Sequence, residues 1–303
     1  MKLFIGGLMA LVSIIIGSPL LALFMGSLLI IVFKFPNNLI SPSLGTNFLQ
    51  LSIILIGVSI SASDAIELTS KYFIFISIFV ICTFLVGIIF VNLFKIDKNV
   101  GLLLASGTAI CGATAMAAVS PLIKAKPKDL LICLAIIFIF NAISMIFFPL
   151  FGKSIGMSNE IFGAWISMAI HDTSSVIGAA VAFGGSALEP AATLKLGRTL
   201  WLIPLIIAIG FFYKNDSQIK FPVFILLFIL AIISGTFIDL GQSLLFFLGF
   251  LSEIFLLAAL FCVGTQINYE STKAININTF LTAFCMWIFA LLFSYLLISF
   301  FIK

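Results

Sequence analysis

GTAICGATAMAAVSP, from Gly107 to Pro121, is a glycine-rich stretch inside otherwise continuous apolar sequence. A second such stretch, AIHDTSSVIGAAVAFGG, runs from Ala169 to Gly185 and contains the single histidine of the chain. Lipid offers no hydrogen-bond partners, so irregular backbone at membrane depth survives only against protein or a water-filled cavity. Two such stretches in one chain therefore indicate a solute-binding site that is formed by broken helices.

The composition identifies an integral membrane protein. Hydrophobic residues make up 63% of the 303 positions, charged residues make up 9%, and the mean hydropathy is +1.34. A soluble domain is nearer one half apolar and one quarter charged. The net charge of +4 is small and dispersed, which argues against a nucleic-acid partner. The lipid bilayer is therefore the expected surrounding.

The apolar segments predict an all-α, polytopic bundle of about 10–11 spans, because one crossing needs about 20 apolar residues. We treat residues 1–303 as a single integral membrane transporter domain. The amino terminus also fits a signal peptide, but its apolar run continues past Gly17, which favours a retained hairpin. The predicted spans are 3–17, 18–33, 46–62, 72–94, 99–118, 129–150, 160–184, 191–213, 220–238, 244–264 and 279–302.

An internal similarity favours inverted repeats. The segment Ser43–Glu67 resembles Leu248–Thr272, and in the predicted order these are spans three and ten, which run in opposite directions. Secondary transporters are often built this way, although two apolar helices can also resemble each other by chance. The two glycine-rich stretches are spans five and seven and would run in the same direction. Either the count of spans is wrong or these stretches are not a repeat pair.

Orientation in the membrane does not follow from the predicted spans. If all eleven cross, the 15 Lys and Arg residues divide into eight on one side and seven on the other. The positive-inside rule needs an excess on one side, and the total gives none. The densest short cluster, Lys124 to Lys128, favours its own loop as cytoplasmic.

The first glycine-rich stretch supplies one half of the candidate site. Small side chains let helices approach closely, which is the simpler explanation of such a stretch. A helix broken at glycines also exposes an N-terminus that favours an anion, and hydroxyl and thiol groups lie beside it. The candidate substrate-binding residues here are Gly107, Thr108, Cys111, Gly112 and Thr114.

The second stretch supplies the other half. An ionisable residue within a membrane span marks a functional site by default. Asp172 can accept a proton, coordinate a cation or fix the tautomer of His171, and imidazole titrates near neutral pH. These two residues are the candidates for ion coupling, and Thr173, Ser174 and Ser175 extend the substrate-binding set. The alternatives are a structural network between helices and an exposed helix end.

Two basic residues follow the second stretch. Lys195 and Arg198 are three positions apart, so they share one helix face. They either extend to the membrane interface from a span end or act as counter-ions for Asp172 or an anionic substrate. Glu253 also lies in an apolar stretch, and its role stays open. The cysteines form no metal-ligand pattern, so neither a metal nor a cofactor is expected, apart from a coupling Na⁺ or H⁺.

These residues resemble the bacterial YeiH family of sulfate exporter family transporters. The similarity covers essentially the whole chain and is carried, in order, by GTAICGATAMAAVSPLIKAK, GAWISMAIHDTSS and ATLKLGRTLWLIPL. The chain departs at Ser175, where many relatives have Gln, and at Gly197, where a hydroxyl residue is more usual. The resemblance implies the superfamily of sodium/proton antiporters and bile-acid symporters, with inverted repeats and two broken helices that cross at mid-membrane. It also implies a multi-pass protein of the bacterial cytoplasmic membrane.

The function predicted from these observations is secondary active transport of a small anionic solute, sulfate-like or organic, coupled to an ion or a proton. No Walker motif is present, so ATP is not coupled within the chain. No enzyme activity is expected, because one histidine without clustered cysteine or glutamate supplies no catalytic arrangement. The alternatives are an ion channel, which would show rings of like residues, and a non-transporting scaffold subunit. A homo-oligomer is compatible with the sequence.

Overall fold

The structure is a computed structural model, and it describes residues 2–31, 42–58, 62–213, 223–238, 240–265 and 275–301. The regular structure in these ranges is α-helical, which confirms the predicted all-α bundle. The helices are α1 (Lys2–Ile16), α2 (Pro19–Ile31), α3 (Pro42–Gly57), α4 (Ala62–Leu93), α5 (Lys98–Ala109), α6 (Ala113–Leu122), α7 (Pro127–Ser154), α8 (Asn159–Ala169), α9 (Thr173–Phe183), α10 (Leu188–Thr199), α11 (Leu202–Tyr213), α12 (Val223–Phe237), α13 (Gly241–Gly264) and α14 (Ile277–Phe301).

Several segments are long and apolar enough to cross a bilayer, as the composition predicts. Within the described residues there are 5 of them, and their outward faces carry large exposed apolar side chains such as Phe211 and Phe246. The five are Ala65–Leu93, Lys128–Ser154, Leu188–Tyr213, Ser243–Gly264 and Ile277–Ser299. The polytopic architecture is therefore confirmed.

Both glycine-rich stretches break a helix, each by a different device. In the first, Gly112 follows the end of α5 with φ +57°, a left-handed conformation that glycine adopts without steric cost. In the second, the backbone is extended at Ile170 and Asp172, and the Asp172 side chain caps the first turn of α9. The chain can change direction sharply at both positions.

The first broken segment is a re-entrant hairpin. A methyl group at Gly107 in α5 would lie 3.1 Å from Cγ of Met116 in α6. A straight helix would separate these two residues by roughly 13 Å, so α6 folds back along α5. The Cys133 thiol, near the start of α7, lies 3.8 Å from the Val100 carbonyl oxygen near the start of α5. The chain therefore leaves this hairpin at the end of the bundle where it entered.

The second broken segment is a re-entrant hairpin from the opposite end. The Phe162 ring in α8 stacks on the Phe183 ring in α9 with centroids 3.8 Å apart, so the outer ends of α8 and α9 lie side by side. Lys153, in the last turn of α7, donates to the Ala182 carbonyl oxygen at 3.1 Å. Since α7 carries the chain from the first hairpin to the second, the two hairpins enter from opposite ends.

This topology differs from the sequence-based expectation. The segments predicted as spans 99–118 and 160–184 each return to the end from which they start, because each is interrupted at its middle. The even division of Lys and Arg residues assumed eleven crossings and is therefore wrong. Within residues 62–169, the end where the first hairpin opens carries five lysines and the opposite end carries two. The five are Lys95, Lys98, Lys124, Lys126 and Lys128, and the two are Lys71 and Lys153.

The internal similarity is reflected in packing. Helices α3 and α13 run antiparallel: the Ser52 and Ser252 hydroxyls lie 3.1 Å apart, and a methyl group at Gly45 would lie 2.7 Å from Cβ of Cys262. The opposite directions predicted for these two segments are confirmed, and positions 59–61 and 266–272 lie outside the described residues. The hairpins are inverted as well, so the expectation that the two glycine-rich stretches run in the same direction was wrong.

Two apolar clusters hold the bundle together. One is built from α4–α11 and α14 and includes the stacked rings of Phe140 and Trp287, with centroids 4.9 Å apart. The other joins α1–α3, α12 and α13 to the faces of α7, α9 and α10 that carry Met145, Ile177 and Ala192. The two hairpins are thus enclosed between neighbouring helices rather than exposed to lipid.

Candidate functional site

The tips of the two hairpins meet inside the bundle. A methyl group at Gly112 would lie 3.3 Å from the Asp172 nitrogen and 3.3 Å from the His171 carbonyl carbon. The residues on both sides of this contact are buried. We call the contact the tip junction and define it as residues 110–112 of the first hairpin and 170–172 of the second.

Arg198, on α10, joins both hairpins at the tip junction. Its side chain is fully buried, and its nitrogens donate to backbone carbonyl oxygens at distances that include 2.9 Å from Nε and 2.6 Å from Nη1. These acceptors lie at the C-terminal ends of α5 and α8, where carbonyl groups lack helical partners. The guanidinium also lies over the Phe79 ring, 4.8 Å from its centroid. The acceptors are the carbonyl oxygens of Thr108, Ala109, Ser167, Met168 and Ile170.

Lys195 supports the same two helix ends. Its ammonium donates to the carbonyl oxygens of Ile170 at 2.7 Å and Ile110 at 3.4 Å, and it interacts electrostatically with Asp172. Lys195 and Arg198 are both 0% exposed, so the interpretation that they extend to the membrane interface is wrong. They are counter-charges inside the bundle, placed against the negative C-terminal ends of α5 and α8.

The positive ends of two other half-helices face the same region. Helix α6 begins after Gly112, which offers no side chain to cap its free N–H groups. Helix α9 begins after Asp172, whose Oδ2 accepts from the Ser174 nitrogen at 3.1 Å and from the Ser174 hydroxyl. Each helix N-terminus carries a positive partial charge of roughly half a unit, which favours an anion.

The tip junction contains two basic side chains and one acidic side chain. The negative partial charges at the C-termini of α5 and α8 cancel the positive partial charges at the N-termini of α6 and α9. Lys195 and Arg198 then contribute two positive charges against the one carboxylate of Asp172, among the described residues. With all three side chains ionised, the junction carries an excess of about one positive charge in a buried setting, where an uncompensated charge is costly. A monovalent anion would restore the balance.

Two buried polar atoms beside the junction have no hydrogen-bond partner among the described residues. They are Nδ1 of His171 and Oγ of Ser175, which lie at the start of α9. The His171 ring packs against Phe140, with centroids 6.5 Å apart. Buried polar groups are normally satisfied, so these atoms are available to a bound solute.

The structure places most of the candidate residues together. Gly107 is the exception in the first hairpin, because it packs against Met116 and serves the close approach of α5 and α6. Glu253 is exposed and faces Gly17 at the α1–α2 turn, so it does not belong to the junction. The candidate residues in or next to the junction are Thr108, Cys111, Gly112, Thr114, His171, Asp172, Thr173, Ser174, Ser175, Lys195 and Arg198.

One residue at the same depth was not predicted. Asn141 lies in the middle of α7, is 1% exposed, and has no partner for either amide atom among the described residues. A single asparagine in an apolar helix has no accompanying motif, so periodicity and spacing did not mark it. The signal in the sequence is only that it interrupts the apolar run IFIFNAISMIFF.

Comparison with known sequences identifies relatives along most of the chain. A family described as Conserved hypothetical protein 698 matches residues 3–283. A UPF0324 membrane protein of Bacteroides thetaiotaomicron is 34% identical over 278 residues, covering 89% of this chain and 83% of its own length. A UPF0324 membrane protein of Vibrio vulnificus is 34% identical over 291 residues, covering 94% of this chain and 93% of its own length.

No solved structure matches the chain. The family match and the bacterial relatives agree with the helical architecture described above, since the relatives are named as membrane proteins. The chain belongs to the family of Conserved hypothetical protein 698, whose relatives are the bacterial UPF0324 membrane proteins.

Proposed function

We propose that this protein is a secondary active transporter of a small anion, located in the bacterial cytoplasmic membrane. The observation that carries the proposal is the tip junction, where two re-entrant hairpins from opposite ends of the bundle meet at Gly112 and Asp172. A solute held between such tips is separated from each end by one hairpin. Small movements of either hairpin can then expose it to one side at a time.

The chemistry of the junction favours an anion. The N-termini of α6 and α9 face it, and Lys195 and Arg198 together exceed the charge of Asp172. The resemblance to sulfate exporter family transporters agrees with an anionic substrate, sulfate-like or organic. We propose no catalytic role, because no nucleophile and base are paired at the junction.

Coupling is assigned to Asp172 and His171 in this proposal. Asp172 is buried beside the tip junction, and it is the acidic residue among the candidates there. It interacts with Lys195, so a change in its charge would alter the balance at both hairpin tips. A proton or Na⁺ gradient could drive transport through this link.

The experiment is uptake into proteoliposomes with an imposed proton or sodium gradient and labelled sulfate, bicarbonate or an alkylsulfonate as solute. Accumulation above the external concentration supports the proposal, as does counterflow driven by internal unlabelled anion. Flux that only dissipates gradients indicates a channel, and no flux of any anion contradicts the proposal. Liposomes that contain the Gly112→Leu protein are the matched control.

A further inference from the structure

We infer that Asn141 is a substrate-binding residue and that it selects an anion that carries a hydrogen-bond donor. The inference rests on the proposed function and makes its substrate class narrower. Asn141 is the central polar residue of α7, the helix that connects the two hairpins. Its buried amide is unpaired at both Oδ1 and Nδ2 among the described residues.

The contacts made by its neighbours on α7 place Asn141 on the helix face that packs against both hairpins. Ile137 and Met145 are four residues before and after it, so all three share one face of α7. Cδ1 of Ile137 lies 3.0 Å from the position of a methyl group at Gly107, in the first hairpin. Cε of Met145 lies 2.5 Å from the position that a methyl group at Gly178, in the second hairpin, would take. Asn141 therefore lies on the face of α7 that packs against both hairpins, between the contact with the first and the contact with the second.

The depth of Asn141 agrees with this position. At 1.5 Å per residue, Gly107 lies about 7 Å along α5 from the tip of the first hairpin. Gly178 lies about 9 Å along α9 from the tip of the second hairpin. Ile137, which contacts Gly107, and Met145, which contacts Gly178, are each four residues from Asn141, or about 6 Å along α7. Its chain neighbour Phe140 packs against the His171 ring at the tip itself.

The amide of Asn141 can distinguish ligands by their hydrogen-bond donors as well as by their charge. Nδ2 donates and suits an anionic oxygen, whereas Oδ1 only accepts and needs a donor from the ligand. A fully deprotonated oxyanion such as sulfate offers acceptors only and would leave Oδ1 unpaired, which is costly in a buried site. Together with the two basic side chains and one acidic side chain at the junction, this points to a monoanion with an O–H or N–H group.

Matched pairs of anions test this directly on the purified, detergent-solubilised full chain. Nitrate and bicarbonate are planar monoanions of similar size, and only bicarbonate carries a hydroxyl. Ethanesulfonate and 2-hydroxyethanesulfonate form a second pair. Affinities are measured by titrating each sodium salt at constant ionic strength and pH and recording thermal stabilisation. We expect the donor-bearing member of at least one pair to bind roughly tenfold to a hundredfold more tightly.

Substitution at Asn141 separates recognition from structure. Asn141→Leu preserves size and removes two unpaired polar atoms, so the unliganded protein should melt at the same or a higher temperature. The same variant should lose the preference within the pairs. Asn141→Ala serves as a second variant with no risk of a clash. Ser144→Ala is the matched control on the same helix, because the Ser144 hydroxyl donates to the Phe140 carbonyl oxygen at 2.8 Å.

The outcomes distinguish the inference from the proposed function. Equal affinities within both pairs, with anions still bound, overturn the role of Asn141 and leave anion transport intact. A lower melting temperature of unliganded Asn141→Leu and Asn141→Ala, with the preference retained, assigns the residue to structure and also overturns the inference. Absence of stabilisation by all four anions, together with absence of uptake, contradicts both.

Discussion

Gly112 and Asp172 touch through their backbones, although each belongs to a hairpin that enters from a different end of the bundle. The Asp172 nitrogen lies 3.3 Å from where a methyl group at Gly112 would be. Gly112 also has φ +57°, so both its conformation and its lack of a side chain are required at this contact. The junction tolerates little increase in size at this position.

Gly112→Ala should abolish or strongly reduce transport while the protein still inserts into the membrane. The backbone conformation of Gly112, φ +57° and ψ −117°, costs a non-glycine residue about 1–3 kcal/mol, and the added methyl group pushes the tips apart. Anion uptake in proteoliposomes, normalised to folded protein, measures the effect. Gly112→Leu should have a larger effect in the same direction.

Gly197→Ala is the matched control for this substitution. Gly197 is inside α10, and a methyl group there meets no atom within 4 Å. Alanine is the better helix former by roughly 0.5–1 kcal/mol, so the control should keep its activity and gain slightly in stability. Equal activity of Gly112→Ala and Gly197→Ala would show that the tips do not need close contact.

Arg198→Leu should destabilise the protein more than any single substitution of an exposed lysine. It leaves several carbonyl oxygens at the ends of α5 and α8 without donors, at a cost of about 3 kcal/mol or more. We expect the melting temperature in detergent to fall by roughly 5 °C or more. Arg198→Lys should recover only part of the loss, because an ammonium has three donors and cannot serve all five carbonyl oxygens that accept from the guanidinium.

Lys71→Leu is the control for the loss of a positive charge. Lys71 forms an exposed ion pair with Glu160 at 2.7 Å, and such pairs contribute about 0–1 kcal/mol. A melting temperature of Arg198→Leu close to that of Lys71→Leu would mean that the buried guanidinium does not hold the hairpins together.

Much of the fold follows from the apolar pattern, and some of it does not. The pattern predicted the helices, and the two glycine-rich stretches predicted where helices break. It did not predict that each broken segment turns back, because a crossing and a hairpin have the same local composition. The difference is made by tertiary contacts such as that of Gly107 with Met116, which are far apart in a straight helix.

The sequence also predicted only part of the candidate site. His171 and Asp172 stood out because ionisable residues in apolar sequence are rare. The roles of Lys195 and Arg198 could not be assigned, because their partners are backbone carbonyls, which every residue possesses. Asn141 was missed because its position between the hairpins depends on how α7 packs, and a lone amide carries no motif.

The end of the bundle that carries Lys95 and Lys126 should face the cytoplasm. Within residues 62–169, five lysines lie there against two at the other end, and short cytoplasmic loops are enriched in Lys and Arg. Single substitutions Lys95→Cys and Lys126→Cys should both resist a membrane-impermeant maleimide in intact cells and react after permeabilisation. Lys153→Cys should react in intact cells.

This test also examines the first hairpin, since the residues between Lys95 and Lys126 are numerous enough to form a full crossing. Opposite accessibility of Lys95→Cys and Lys126→Cys would contradict the hairpin. The parent protein supplies the background signal, because its cysteines are buried or partly buried.

Asp172→Asn should separate charge from helix capping. Asparagine also caps helix N-termini, so α9 should keep its first turn, while the amide cannot carry charge or exchange a proton. If Asp172 couples transport to a gradient, the variant should lose accumulation of anion but retain exchange across proteoliposomes. Asp172→Ala, which removes both cap and charge, should in addition lower the melting temperature, since loss of a cap costs about 1 kcal/mol. Gradient-driven accumulation by Asp172→Asn would rule out this carboxylate as the coupling group. His171 would then be the next candidate, and His171→Gln should shift or flatten the pH dependence of transport.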